Sequence, residues 1–597
     1  MQARAFVMMR STQGGKPEDT SLVGLVDPRL GDLEDDVASP GQRSLLSIAG
    51  SLLVEISPAK LLFAWTVSLL LPAVLLGVAP LAATAWASTV SQHVLVLSEL
   101  AGAGMLVATI AIGWFGWRPL LRTAEISFWS LNALTIQPGY AIGREALRHL
   151  AEMLDPATAA KRARLRAMTS LAAGIVLSAF TSLVLIAVWP ATRWIGGVND
   201  LAAPHHLILP TAANAIVLVS GYLALASLFW ALADATMEQP LDLTQFGSPP
   251  PVSRSWRIAH LSDLHVVGER YGFRIECGRM GPRGNGMVDL VLARLAQAHA
   301  VKPIDQILIT GDMTDAGSAT EWAEFLDALS RCPDLAARTI VLPGNHDLNI
   351  VDRSNPARLD LPFSAGKLMR QLRTLSAMAA VQGERVHVVD DMGGITDTLA
   401  GSLAPHRERI VTFANAGGLR NSFRLRKLFD EQFPMIVPPQ QDDGLGIAIL
   451  NSNAETHFSF TNALGLISYE QAQRLAAVIG RFPRARWIIA LHHHLVEYPM
   501  APKSFSERIG TALINGSWFV RKLGPFADRT VIMHGHRHTD WIGACGTLKI
   551  ISAPSPVMGA VDDTPAHFYI HTLAAGPGGR LDLHPPEIVE FAPGAQV

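Results

Sequence analysis

Arg257-Ile258-Ala259-His260-Leu261, followed at once by Ser262-Asp263-Leu264-His265, is the stretch on which the reading of this 597-residue chain turns. The first five residues form a short apolar run of the kind that makes a buried strand, and the next four close it with an Asp and a His two positions apart. The same grammar recurs four times. Gln306-Ile307-Leu308-Ile309-Thr310 leads into Gly311-Asp312, and Thr339-Ile340-Val341-Leu342 leads into Gly344-Asn345-His346-Asp347. Trp487-Ile488-Ile489-Ala490-Leu491 leads into His492-His493-His494, and Thr530-Val531-Ile532-Met533 into Gly535-His536-Arg537-His538. Helical spacing over 287–300, 319–330 and 468–482 separates several of these runs, so a β-α alternation with a helix-covered sheet is expected. In open α/β sheets the crevice for ligands lies at the carboxyl ends of the strands, where residues distant in sequence converge.

Asp, Asn and His together suit borderline-hard divalent ions such as Mn, Fe or Zn, whereas a soft site would use Cys. Each cluster alone has a plainer reading as a turn, since Gly, Asn and Asp all tolerate the conformations turns need. As an ordered set they point to a metal-dependent hydrolase. No Walker-type loop, no Gly-x-Ser-x-Gly elbow and no internal repeat is present. A net charge of −2 gives no reason to expect a nucleic acid polymer as partner. Cys277, Cys332 and Cys545 are odd in number and form no CxxC pair, which argues against a disulfide framework.

The order Asp-x-His, Gly-Asp, Gly-Asn-His-Asp, His, Gly-His-x-His resembles the calcineurin-like metallophosphoesterase superfamily over about 254–573. The resemblance implies an α/β fold, a metallophosphoesterase β-sandwich flanked by helices in αββα order, with 548–553 and 566–573 as strands of the second sheet. It implies that Asp263, His265 and His538 hold one divalent metal ion, that Asn345, His492 and His536 hold another, and that Asp312 bridges them. A metal-bridging hydroxide would then attack a phosphomonoester or phosphodiester, lipid- or nucleotide-derived. His346 would stabilise or protonate the transferring group, with Asp347 orienting its ring. The basic segment 348–446 is expected to be a cap that selects an anionic substrate.

The first 240 residues obey a different rule. Apolar runs at 61–87, 95–117, 167–189 and 207–233 are each long enough to cross a hydrocarbon core of about 30 Å, so four transmembrane helices and a bilayer as partner are expected. Charged residues make up 17% of the chain, below the ~25% usual in soluble proteins. Arg and Lys crowd before the first run and between the second and third, which places both termini and the catalytic part on the cytoplasmic side. Glu99 is the only ionisable residue well inside a run, which favours an anchor over a transport pathway. The expected order is a flexible tail 1–44, a membrane region 45–239, a Pro-rich linker 240–254 and a phosphoesterase domain 255–597. Two other functions remain open: a catalytically silent metal- or nucleotide-binding scaffold on a membrane anchor, and a transporter with a regulatory domain.

Overall fold

The computed structural model describes residues 58–94, 104, 107–111, 137–154, 159–197, 200, 203–247, 254–269, 275–276, 279–280, 284–352, 355, 358–361, 364–499, 513–558 and 565–591. The tail 1–44 and most of the expected run 95–117, including Glu99, lie outside these residues.

The strand read first, Ser255–Leu261, pairs in parallel with Gln306–Ile309, which pairs in parallel with Thr339–Val341. Their last residues are in register, Leu261 opposite Ile309 and Ile309 opposite Val341. Ala566–Ala575 and Leu581–Leu583 complete this sheet of six strands, with Glu587–Phe591 also paired to Ala566–Ala575. A second sheet, of nine strands, has the parallel trio Leu445–Ile449, Arg486–Ala490 and Thr530–His534 near its middle, again with the carboxyl ends in register. The five apolar runs are therefore buried parallel strands, which explains why they read as continuous rather than alternating.

Alternation inside the larger sheet sorts side chains between two cores. Ile447, Ile449, Ile488, Ala490, Val531 and Met533 pack with Ile258, Leu261, Ile307 and Ile309 of the smaller sheet. Ala448, Leu450, Trp487, Ile489 and Ile532 pack with Leu475, Val478 and Ile479 of the helix Tyr469–Arg481 and with Phe519 and Leu523 of Gly516–Leu523. Each such aliphatic side chain contributes about 1.5–3 kcal/mol on full burial.

Two segments contribute strands that their composition did not announce. Part of the segment 348–446 is built into the larger sheet. Met435–Val437 pairs with Leu445–Ile449, and His387–Val389 and Ile395–Thr398 form the far edge, while Phe413, Phe429 and Phe433 are buried in the main core. The linker 240–254 opens with a strand, Pro240–Asp242, which pairs with Trp541–Cys545; Pro is accepted there as the first residue of an edge strand.

Among the described residues three helical stretches are long and apolar enough to cross a membrane: Leu71–Ser91, Arg164–Ala191 and Pro204–Ala235. They match the first, third and fourth of the four runs. Small residues sit where these helices touch, with Gly174 against Ser227 and Ala231, and Gly77 against Thr211. The buried Asn214 adds polar links, donating to the carbonyls of Gly77 at 3.2 Å and Arg193 at 2.6 Å.

Candidate metal centre

All seven side chains expected as ligands are buried and meet where the carboxyl ends of the two parallel trios face each other. On one side, Asp263, His265 and His538 offer ligand atoms that all lie within 4.8 Å of one another. His538 Nε2 is 3.3 Å from Asp263 Oδ1 and 3.2 Å from His265 Nε2. On the other side His492 Nε2, Asn345 Oδ1 and His536 Nδ1 stand 2.9, 3.0 and 3.1 Å apart. Asp312 Oδ2 lies between the two groups, 3.2 Å from His492 Nε2 and 3.9 Å from His265 Nε2.

The backbone takes unusual shapes to achieve this. Among the described residues the non-glycine residues with positive φ are Asp263 (56°), His265 (41°), Asp312 (51°), His536 (76°) and His538 (49°), all of them expected ligands. Such a conformation costs of order 1–3 kcal/mol per residue and persists only where surrounding structure fixes it. Here the loops fix one another: Asp263 N donates to Gly311 O at 3.1 Å, His265 N to Asp312 O at 2.9 Å, and His536 N to Asp263 Oδ2 at 3.0 Å. Glycine is required at two of the turns. A Cβ on Gly344 would stand 2.1 Å from Asp312 Oδ1, and one on Gly311, whose φ is +100°, would stand 2.4 Å from His492 Nδ1.

The electrostatics fit cations. Burial pushes the Asp312 carboxyl up, but His492, His346 and His265 override it and hold Asp312 well below the usual carboxylate range. Burial opposes charge on His492 too, yet Asp312 and then Asp263 raise that ring to about 9. Burial holds His265 and His536 below the ordinary imidazole value, in the neutral form a metal ligand needs. Convergent oxygen and ring-nitrogen lone pairs around one buried carboxylate are a donor set suited to two divalent ions.

His346 and Asp347 lie beside this cluster but do not act as a pair. His346 N donates to Asp312 Oδ1 at 2.8 Å, and its ring stands edge-on to His265 with centroids 4.6 Å apart. Its Nδ1 is 2.7 Å from the carbonyl oxygen of Asp315, so a backbone carbonyl orients the ring where the Asp347 carboxylate was expected to. Asp347 instead accepts from Thr314 N at 3.0 Å, Thr314 Oγ1 at 2.7 Å and Gly344 N at 2.9 Å, bracing the turn that carries Asn345. Burial and the neighbouring Asp312 push its carboxyl up to about 7.

Three further residues support the expected ligands. Asp315 Oδ1 is 3.4 Å from His265 Nδ1, the carboxylate partner a ligand imidazole commonly has. Ser452 Oγ accepts from His492 N and His493 N, both at 3.1 Å, and lies 2.9 Å from His493 Nδ1. It closes the strand Leu445–Ile449, an apolar run ending in polar residues like the other five, and that was the available signal. Ser555 Oγ donates to Asp263 O at 2.8 Å.

Fold and site together define a metal-dependent phosphoester hydrolase. Residues 257–540 match the family described as calcineurin-like phosphoesterase. No curated protein matches the chain. Among solved structures it is similar to a dimetal phosphatase from Danio rerio, at 10% identity and TM-score 0.33, over 56% of this chain and 99% of that one. It is also similar to a putative 5'-nucleotidase from Staphylococcus aureus, at 12% identity and TM-score 0.30, over 57% of this chain and 55% of that one. A third similar structure is the NAD nucleotidase of Haemophilus influenzae, at 11% identity and TM-score 0.29, over 57% of each chain.

Proposed function

We propose that the chain is a membrane-anchored phosphoesterase that cleaves phosphomonoester or phosphodiester bonds with two divalent ions. Asp263, His265 and His538 would hold one ion, Asn345, His492 and His536 the other, with Asp312 shared. The observation that carries this reading is the placement of Asp312 between two buried ligand groups drawn from five separate loops. A bound pair of ions supplies Lewis acidity at the phosphoryl group and an activated water near neutral pH.

The chain's own residues supply the rest. Asn345 gives an oxygen without adding negative charge, so the centre stays attractive to an anionic ester. A carbonyl can only accept, so His346 carries its proton on Nδ1, and Nε2 can donate only when the ring is doubly protonated. His346 would therefore act as a proton donor to the leaving alcohol or to a phosphoryl oxygen in its imidazolium form.

The three long apolar helices support a multi-pass anchor, and the excess of Arg and Lys at 118–166 supports a cytoplasmic domain. Lipid-derived and nucleotide-derived phosphoesters both fit the centre. The test is turnover of nitrophenyl phosphate mono- and bis-esters by the full chain stripped of metal and reloaded with Mn. Hydrolysis that depends on Mn is expected; metal-loaded protein that turns over neither ester would favour the silent scaffold instead.

A further inference from the structure

The loop that starts at the expected ligand His492 reaches the helical part of the chain. Five residues on, Glu497 crosses to the membrane-side part of the chain and meets the helix Gln137–Leu154, which lies in sequence between two of the apolar helices. Arg148 Nη1 donates to Glu497 Oε2, and Arg144 Nη2 is 3.7 Å from Glu497 Oε1. Arg144 also donates through Nη1 to Asp234 Oδ2 at 2.6 Å, and Tyr140 OH donates to the same oxygen at 2.9 Å. Asp234 stands at the last turn of the apolar helix Ile208–Ala235. Burial opposes charge on Glu497, but the guanidinium groups of Arg148, Arg166 and Arg144 hold its carboxyl well below the ordinary value.

The next residue, Tyr498, runs the other way, into the centre. Its hydroxyl is 2.8 Å from Ser552 Oγ, and its ring lies parallel to His534 at 6.2 Å and 5.9 Å from His494. The Arg537 guanidinium sits over the same ring at 5.6 Å, between the two ligands His536 and His538. Consecutive residues thus touch the membrane-side helix on one side and both histidine loops on the other. A surface ion pair would contribute little, but a half-buried carboxylate with two guanidinium partners has few alternative positions, and holding position is the best-attested use of such pairs.

We propose that Glu497 is a positioning residue of the metal centre, through which the helix Gln137–Leu154 sets the placement of the loop that carries His492. The proposal rests on the reading of His492 and His536 as metal ligands. Detachment of that helix from Glu497 would let the His492 loop and, through Tyr498, the Gly535–His538 loop relax away from the geometry that two ions need.

The test is Mn binding, measured calorimetrically on the full chain in nanodiscs after removal of metal, for wild type, E497Q, R148Q and the double variant. Each single variant is expected to weaken the Mn sites by about tenfold or more, the range seen when a group that orients a ligand is removed. The double variant is expected to be no weaker than the worse single one, because both remove the same link. Wild-type Mn affinity in both single variants, whatever their thermal stability, overturns the proposal, as do losses that multiply in the double variant. Should E497Q fail to fold, R148Q, which lies outside the phosphoesterase domain, carries the test with the same two outcomes. A wild-type chain that binds no Mn overturns the metal reading and this proposal together, a result distinct from equal affinities.

Discussion

Phe180 and Leu183, on the helix Ala159–Val188, leave 64% and 66% of their surface exposed, while Trp487 and Ile488, in the strand Arg486–Ala490, expose none. The residues are alike in chemistry and opposite in placement. In the phosphoesterase domain the apolar strand residues point inward, and all seven expected ligands are buried among them. In the helical region many large apolar side chains point outward, and small or polar residues, Gly77, Gly174, Ser227, Ala231 and Asn214, stand at the buried contacts between helices. Two solvents would account for the difference: water drives the domain's apolar surface inward, and on the proposed anchor reading hydrocarbon would give the helices no reason to hide theirs.

The comparison breaks most sharply at the centre. Asp312→Ala should lower kcat/KM on nitrophenyl esters by about a thousandfold or more, because it removes the one group shared by both expected metal positions. His494→Ala should cost far less, and membrane extraction should be unchanged in both. Equal losses from the two substitutions would mean that His492 is the wrong choice among the three histidines.

Leu183→Arg probes the other region. It should oppose membrane insertion by about 3 kcal/mol, read as the fraction of chain resistant to alkaline extraction, while turnover per inserted molecule is retained. Unchanged insertion would count against a hydrocarbon environment for that helix face.

The domain alone should then soften in acid. Burial lowers the pKa of His571 to about 4 from an ordinary value near 6.5, so the unfolded chain binds more protons than the folded one between those limits. Stability is fully present above about pH 6.5 and falls as pH drops towards 4, by on the order of 3 kcal/mol for this one group. His571→Phe should remove that one-proton slope from the pH dependence of the domain's Tm; an unchanged slope would assign it to other groups. The smallest effect is local. Ser318 caps the helix Ala319–Ser330 in a capping box with Glu321, and Ser318→Ala should cost about 1 kcal/mol in thermal unfolding with no change in metal binding.

What could be read from the chain in advance followed from how local each cause is. A buried parallel strand needs a continuous apolar run, and the turn that ends it favours Gly, Asp, Asn or His, so five strand ends were visible without a structure, while the seven expected ligands among them came from the family resemblance. The far half of the larger sheet was hidden because His387–Val389, Ile395–Thr398 and Met435–Val437 are three or four residues long, too short for periodicity to register. Adjacency in sequence misled at Asp347. On the tight turn that it shares with His346, the carboxylate caps backbone amides instead of reaching the neighbouring ring. Glu497 was invisible for the opposite reason, since its partner Arg148 is 349 positions away.

The central claim is that seven side chains from five loops hold two ions about one aspartate. Metal content per chain tests it most directly, measured by elemental analysis after stripping, reloading with Mn and desalting, in wild type and Asp312→Ala. Two ions per chain in wild type and at most one in the variant is the predicted result; fewer than two in wild type, or two in both, would contradict it.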